Sequence, residues 1–496
     1  MTNESPEKQA DSVVAAARRA QAAWAERPIR ERADALRPLK RRILSAAEHV
    51  GSLLAEECSK PFEEAVLAEV LPSADLVDYW TVSIEELLAA ETLELDPISF
   101  PSKRAVVYRE PRGVVALVSP WNYPVAIPLR TLVPALLAGN AVVLKPSEVT
   151  PRAGELVASF FEGLVPEGLV GLLQGGAEEG DALVRADVDA VVFTGSVATG
   201  RKVAAVCAER LVPCALELGG KDAAIVLADA PLERTARGLV WGAFTNAGQN
   251  CASIERVYVV RSIADALKKR VVELTKALRV GKDVGKLTTL RQAEIVRAQL
   301  DAAATSGAKL LTGSVPEEGA QQIDPAVVEV TDEATPLLAD ETFGPVLPIV
   351  VVDDEEEAVR RANASRFGLT ASIWTKRTAH GHALARRLRA GVVTVNNHAF
   401  TAAIPAAPWS GVGESGYGVT SSPHALGELV RPRLVLEDKN ALASELWWYP
   451  YTGTLRSLAL AMARLRGGAG IFGRVAALLS LLTLLPRRLF EKGPEK

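Results

Sequence analysis

The hydrophobic pattern changes character along the chain. From residue 10 to residue 70, stretches such as AAARRAQAAWAE and ERADALRPLKRRILSAAEHVGSLLAEE consist of strong helix formers with few prolines, and they predict helices. Residues 104–118, RAVVYREPRGVVALV, predict two short strands broken by a turn at Pro111-Arg112-Gly113. Beyond them, short apolar runs alternate with helical stretches: AVVL at 141–144, a helix near 153–163, LVGLL at 169–173 and DAVVF at 189–193. Such alternation predicts a parallel sheet covered by helices on both faces. A second alternation begins near Asp222, with AAIVL, ERVYVV, an apolar run at 345–352 and SIWT at 372–375. The fold class is therefore α/β, with two units joined near Gly219-Gly220 and neither an internal repeat nor a low-complexity linker.

Composition narrows the function classes. The 496 residues suggest two or three domains, and 48% apolar with 23% charged residues is a globular composition, not a disordered one. A net charge of −4 excludes a broad polycationic surface and argues against nucleic acid as a partner. Four cysteines in so long a chain point to a reduced, cytosolic setting and not to a disulfide scaffold. Residues 1–12 are polar, so no secretory signal is expected there. Five scattered histidines without a His-Glu-x-x-His or paired Cys-x-x-Cys motif argue against a zinc enzyme. The charge is unevenly placed: Arg456 to Lys496 carries +6, leaving −10 on the rest.

Four places carry candidate chemistry, each with a plainer alternative that spacing leaves open. In VVFTGSVATGRKVAAV, Gly195 and Ser196 precede a helix whose first amides lack helical partners, a site suited to a phosphate. The glycine spacing is not G-x-G-x-x-G, and a ligand-free strand–glycine–helix turn fits as well. Lys145 and Glu148 follow the strand AVVL, where they can clasp ribose hydroxyls. A carboxylate there repels a 2′-phosphate and favours NAD over NADP; a solvated loop with a helix-capping serine is the alternative. Cys251, in AGQNCASIERVYV, follows a polar, turn-forming approach and not an apolar strand, so its thiol can ionise more readily than one sealed in hydrocarbon. A buried small hydrophobe is the commoner fate of a lone cysteine. Cys58, Cys207 and Cys214 lie in helical or apolar stretches and read as structural. Glu217, followed by Leu218-Gly219-Gly220, is either a general base held close to its target or a strand-end carboxylate.

Taken together, these pieces resemble the aldehyde dehydrogenase superfamily over about residues 10–440. The motifs that carry the likeness are PWNYP (120–124), LKPSE (144–148), FTGS (193–196), ELGGK (217–221), GQNC (248–251), ETFGPV (341–346) and GLTASIWT (368–375), followed by VNN and SGVGESGYG. The resemblance implies that Cys251 is the thiolate that attacks the aldehyde carbon. It implies that Asn122 and the backbone N–H of Cys251 hold the oxyanion, donors worth about 3–4 kcal/mol each in the transition state. Glu217 would activate the water that hydrolyses the thioester, and its presence favours release of a free acid over transfer to coenzyme A. NAD, with NADP as the alternative, would lie with its adenosine ribose near Lys145 and Glu148, its pyrophosphate by Gly195 and Ser196, its nicotinamide ribose on Glu341 and its nicotinamide against Phe343. Lys221 is left as structural support, and no metal is implied, because cysteine and hydride acceptor perform the redox step. The implied architecture is a Rossmann-like cofactor domain (1–92 and 112–218), a catalytic domain (219–425), oligomerisation strands (93–111 and 426–440) that make a homodimer or homotetramer, and a helical tail (441–496). Two departures stand out. Pro408-Trp409-Ser410-Gly411 replaces the frequent Pro-Phe-Gly-Gly, so pocket shape there cannot be carried over, and Asp222 replaces a small polar residue; neither change is expected to touch a reacting atom.

The tail opens with Trp447, Trp448, Tyr449 and Tyr451. Leu455, Leu458, Ala459, Met462 and Leu465 then recur at helical period, and Val475 to Pro486 is uncharged and ended by Pro486-Arg487-Arg488. Twelve residues span ~18 Å of helix, short of the ~30 Å hydrocarbon core. A peripheral anchor on the cytoplasmic membrane face, with arginines on anionic lipid, is the favoured expectation; packing on the body or a partner subunit, or roofing the substrate tunnel, is the alternative. By analogy with relatives bearing apolar extensions, the expected substrate is a medium- or long-chain aliphatic aldehyde. Arg130, eight residues past Asn122, raises the alternative of an acidic semialdehyde. A rival of another class, a non-catalytic membrane-attached scaffold, would be expected to lack Cys251, Asn122 or Glu217, and all three are present.

Overall fold

The computed structural model describes residues 4–491 other than 98, 333, 334, 399 and 469. Of the tail charges counted above, Lys492, Glu495 and Lys496 lie outside the described residues. The chain divides into two compact units, Met1–Ala90 with Tyr108–Arg433, and Glu91–Val107 with Leu434–Lys496.

The first unit holds two large sheets. One has six strands, in the order Gly416–Tyr417, Cys214–Glu217, Ala190–Thr194, Val114–Val118, Ala141–Lys145, Val170–Leu172. All its pairings are parallel except that of Gly416–Tyr417, which runs antiparallel to the strand ending at Glu217. Ala141–Lys145 is buried at every position, as expected of a strand covered on both faces. The chain builds outward from Val114–Val118 through two strands, then returns to its other side for Ala190–Thr194 and Cys214–Glu217. That reversal is the switch point of a doubly wound sheet, where ligands gather outside the carboxyl ends of the strands. The late strand Gly416–Tyr417, within SGVGESGYG, joins this sheet from far along the sequence, an insertion that local pattern does not reveal. The predicted helix near 153–163 is shorter, Pro151–Ser159.

The other sheet has seven strands, in the order Lys309–Thr312, Ala326–Glu329, Val346–Val352, Ile254–Val260, Asp222–Val226, Thr370–Trp374, Val392–Val395. Its inner strands are parallel, and separate apolar cores fill the two sheets. Leu218-Gly219-Gly220-Lys221 carries the chain from one sheet to the other, where the sequence placed the join.

A small sheet orders Glu91–Leu93, Lys103–Pro111 and Val430–Asp438. The expected strand over 426–440 starts later, because Leu426–Leu429 is a helical turn. In the second unit, helices Gly453–Ala463 and Ile471–Leu489 form a hairpin around Leu458, Ala461 and Leu481. The second helix runs through Pro486 to Leu489, past the end of the uncharged run. Its last turn is held from outside, since Arg488 donates through Nε to the Leu446 carbonyl (2.9 Å) and through a terminal nitrogen to the Trp448 carbonyl (2.5 Å). No helix among the described residues is long and apolar enough to cross a membrane.

Candidate active site

The carboxyl ends of the six-stranded sheet supply the first part of the site. Lys145 ends one strand, buried, with its Nζ 3.3 Å from the exposed Glu148 carboxylate. Gly195 and Ser196 follow the Ala190–Thr194 strand, which is separated from the Lys145 strand by Val114–Val118. The Gly195 amide donates to the Glu217 carbonyl (3.0 Å), and the Ser196 hydroxyl caps helix Val197–Arg210 by accepting from the Thr199 amide (3.3 Å). A switch point, a capped 14-residue helix N-terminus on one side of it and a lysine–carboxylate pair at the strand end on the other side of Val114–Val118 fit a dinucleotide.

Glu217 is the last residue of its strand and is buried. Its Oε1 accepts from the Thr420 hydroxyl. Burial pushes its carboxyl up to about 7, against the opposing pull of the Arg130 guanidinium and the Thr420 hydrogen bond. Cys251 follows a loop in which Asn246 and Ala247 take left-handed backbone angles (φ 52° and 54°), a conformation rare without a local reason. The thiol is half-buried and lines the same cavity as Glu217. Desolvation raises its pKa first, Glu217 and Asp222 add to the rise, and Arg130 opposes it. Asn122 is buried, and its Nδ2 donates to the carbonyl of Gln249 (3.1 Å), two residues before Cys251.

The cavity encloses about 870 Å³. Its lining is mostly apolar, with Leu67, Leu76, Ile127, Val240, Trp241, Phe244, Phe400 and Trp409 beside Cys251 and Glu217. Arg130 lines it too, its guanidinium 5.7 Å from the Trp409 ring centroid and donating to the Ala402 carbonyl (3.4 Å).

Glu341 and Phe343 meet the crossover between the sheets. The Gly220 amide donates to Glu341 Oε1 (3.2 Å), and a side chain at Gly219 would collide with the same carboxylate. Burial and the neighbouring Glu255 raise the Glu341 carboxyl to about 8. Phe343 stands edge-on to Trp121, next to Asn122 in sequence, with ring centroids 5.5 Å apart.

Sequence reasoning missed several parts of this arrangement. The partners of Lys221, expected only as structural support, are long-range: its buried Nζ donates to Glu255 (2.6 Å) and Thr342 (2.8 Å). Glu255 in turn accepts from the amides of Thr342 (2.7 Å) and Phe343 (2.8 Å), which fixes the segment after Glu341. Thr420 was unmarked, and so was His398, which contacts the Ala252 carbonyl at 2.6 Å and whose pKa burial lowers to about 4. The departure at Trp409 lies in the cavity wall beside Cys251. Cys251 packs against the cluster of Ala252, Leu369 and Trp409, and Trp409 exchanges backbone hydrogen bonds with Thr420 (2.9 Å each way). Asp222 is buried and accepts from the Thr370 amide (2.9 Å) and hydroxyl (2.5 Å).

Comparison with known proteins agrees with this geometry: the model of the aldehyde dehydrogenase family matches residues 2–435. The chain belongs to the aldehyde dehydrogenase family. A 4,4'-diapolycopene aldehyde oxidase from Methylomonas sp is 37% identical over 88% of this dehydrogenase and 83% of that protein. A protein from Mycobacterium ulcerans, provisionally named succinate-semialdehyde dehydrogenase [NADP(+)] 2, is 35% identical over 84% of this chain and 82% of its own. Among solved structures, the NAD+ complex of an aldehyde dehydrogenase from Bacillus cereus matches with a TM-score of 0.83 at 30% identity, covering 88% of this chain and 89% of that one. The Rossmann-like sheets of this aldehyde dehydrogenase are thus those of a fold that takes NAD or NADP.

Proposed function

We propose that this enzyme oxidises a medium- or long-chain aliphatic aldehyde to the carboxylic acid, with NAD preferred over NADP. The observation that carries the reading is the shared apolar cavity of Cys251 and Glu217. In it Cys251, as the thiolate left when its proton passes to solvent, bonds through Sγ to the carbonyl carbon, and the Asn122 amide and the Cys251 backbone N–H hold the resulting oxyanion. A bound nicotinamide supplies the acceptor for the hydride that leaves this carbon, which becomes a thioester. Glu217 then takes a proton from water, the water oxygen bonds to the acyl carbon, and the carbon–sulfur bond breaks to free the acid and Cys251. A carboxyl group with a pKa of about 7 is half in its basic form at neutral pH, which suits it to that task.

Lys145 and Glu148 would hold the adenosine ribose, Gly195 and Ser196 the pyrophosphate, and Glu341 and Phe343 the nicotinamide riboside. The exposed Glu148 carboxylate supports NAD, since it repels a 2′-phosphate. The apolar lining supports a hydrocarbon chain, and the name of the Methylomonas relative points the same way. Arg130 in the cavity, with the Mycobacterium relative's name, supports a second reading, an acidic semialdehyde. The deciding experiment measures kcat/KM for straight-chain aldehydes from two to about ten carbons and for succinate semialdehyde, with Cys251→Ala as control. A rise with chain length is expected; a flat or falling series rejects the aliphatic reading.

The hairpin of the second unit fits peripheral attachment to an anionic bilayer. Phe472, Leu479, Leu482 and Phe490 are exposed, and the accessible charges nearby include Arg456, Arg464 and Arg487, while the carboxylate of Glu491 is engaged by Arg488, Thr452 and Thr454. Exposed apolar residues interleaved with arginines suit a headgroup layer. Phe472→Ser with Leu479→Ser is expected to abolish sedimentation with phosphatidylglycerol vesicles. The strands Lys103–Pro111 and Val430–Asp438 are assigned to contacts between protomers of a homodimer or homotetramer.

A further inference from the structure

We propose that the buried ion pair Lys60–Glu69 is a positioning device for Asn122, an inference that rests on the reading of Asn122 and Cys251 as groups that touch the substrate. Both side chains are wholly shielded from solvent. Burying a pair of charges is a poor source of stability, because the loss of hydration offsets most of the attraction. What this pair achieves is geometric, since its remaining hydrogen-bonding capacity goes to one segment. Lys60 Nζ donates to the Asn122 carbonyl (2.8 Å) and lies 3.9 Å from the Tyr123 ring centroid. Glu69 Oε2 accepts from the amides of Val125 (2.8 Å) and Ala126 (3.2 Å). One ion pair thus grips the backbone at both ends of Asn122-Tyr123-Pro124-Val125-Ala126.

The grip passes to the cysteine loop. The Asn122 carbonyl also accepts from Asn246 Nδ2 (3.0 Å), and Asn246 Nδ2 and Asn122 Nδ2 converge on the Gln249 carbonyl at 3.0 and 3.1 Å. Asn246 holds its left-handed angle while its amide donates to Glu64 (2.5 Å). Glu64 and Glu69 stand five residues apart on one helical segment, and Glu69 lies in its π turn, Val66–Val70. Such turns recur at functional sites. Here one segment secures both the amide donor and the approach to the thiol, whose separation sets how well the oxyanion is held. A shift of about 1 Å in such a placement can cost ~100-fold in rate.

The test is single-turnover NADH formation at 340 nm with NAD and the fastest aldehyde of a two- to ten-carbon series, alongside NAD affinity from tryptophan fluorescence. Glu69→Gln and Lys60→Met are expected to lower the rate constant by about 10–100-fold while NAD affinity stays within about twofold. Lys60→Arg, which restores a cationic donor, is expected to recover most of the loss. A pair that only stabilises the fold would instead lower the fraction of active enzyme and leave the rate constant of that fraction unchanged, and this result overturns the proposal. Should Glu69→Gln fail to fold, the contrast between Lys60→Met and Lys60→Arg decides the matter, equal rate constants overturning the proposal. Cys251→Ala separates the two levels. If it retains turnover, the site reading fails and the proposal falls with it; if it is inert while Glu69→Gln and Lys60→Met keep the wild-type rate constant, the positioning role alone is overturned.

Discussion

Thr420 donates its hydroxyl hydrogen to Glu217 Oε1, inside a cavity wall where Trp409 and Thr420 are tied backbone to backbone. The bond stabilises the carboxylate, the form needed to take a proton from water, against the burial that disfavours it. Removing the hydroxyl must therefore raise the carboxyl pKa further above 7. Thr420→Val is expected to move the acidic limb of the kcat–pH profile upward by about one unit, with a roughly tenfold loss at pH 6 that closes at alkaline pH. An unshifted limb would show that another group controls hydrolysis.

Glu217 itself makes a sharper prediction. Its carboxyl titrates near 7, so the basic fraction falls as pH drops below that value and grows as pH rises through it. Steady-state acid release should follow that fraction. Glu217→Gln removes the base and, with it, a negative charge that opposes ionisation of the thiol, so acylation proceeds and the acyl-enzyme should accumulate: one NADH per site in a burst, then turnover slowed by about 10²–10⁴-fold. Mass spectrometry of the intact protein should find the acyl group on Cys251. A burst equal to the wild type's with unimpaired turnover would remove Glu217 from the reaction.

The parts of this site legible in the sequence were those that local pattern encodes. Apolar runs bounded by turns located both sheets, and Gly219-Gly220 marked the crossover because a side chain at Gly219 would meet Glu341. Cys251 stood out only as a thiol after a polar loop; motif order, not spacing, gave it a role. Trp409 showed only as a departure from the family pattern; Thr420 and Glu255 were illegible because their effect depends on contacts between segments up to 203 residues apart, as for Thr420 and Glu217. Nothing about an isolated threonine announces such a partner. The end of helix Ile471–Leu489 was illegible for a similar reason, since Arg488 secures its last turn on the carbonyls of Leu446 and Trp448.

Cofactor choice turns on Glu148. Its carboxylate is exposed and leans on Lys145 Nζ at 3.3 Å, so a 2′-phosphate placed beside it meets a negative charge that largely occupies the nearest cation. Glu148→Gln keeps the size and one acceptor oxygen but removes the charge, freeing Lys145 for the phosphate. The ratio of kcat/KM for NADP over NAD is expected to rise by about tenfold, equivalent to ~1.4 kcal/mol. The gain should shrink at high salt, where screening already weakens the repulsion. No change in the ratio would place the adenosine ribose elsewhere.

Arg130 separates the two substrate readings, because it acts on the reacting groups whichever is right. Its guanidinium favours the anionic forms of both Glu217 and Cys251. Replacing it with methionine, of similar reach and no charge, leaves both anions less supported in a desolvated cavity. Arg130→Met is therefore expected to shift the activity profile to higher pH for every aldehyde tested. For an apolar substrate the loss at neutral pH, about tenfold, should be largely recovered at pH 9. Were the arginine also a carboxylate receptor, succinate semialdehyde would lose a further ~100-fold in kcat/KM that no pH restores, since a buried charge-assisted hydrogen bond is worth about 1.5–3 kcal/mol. Equal, pH-reversible losses for decanal and succinate semialdehyde would assign Arg130 to the electrostatics of the thiol and the base, and leave the apolar wall to select the substrate.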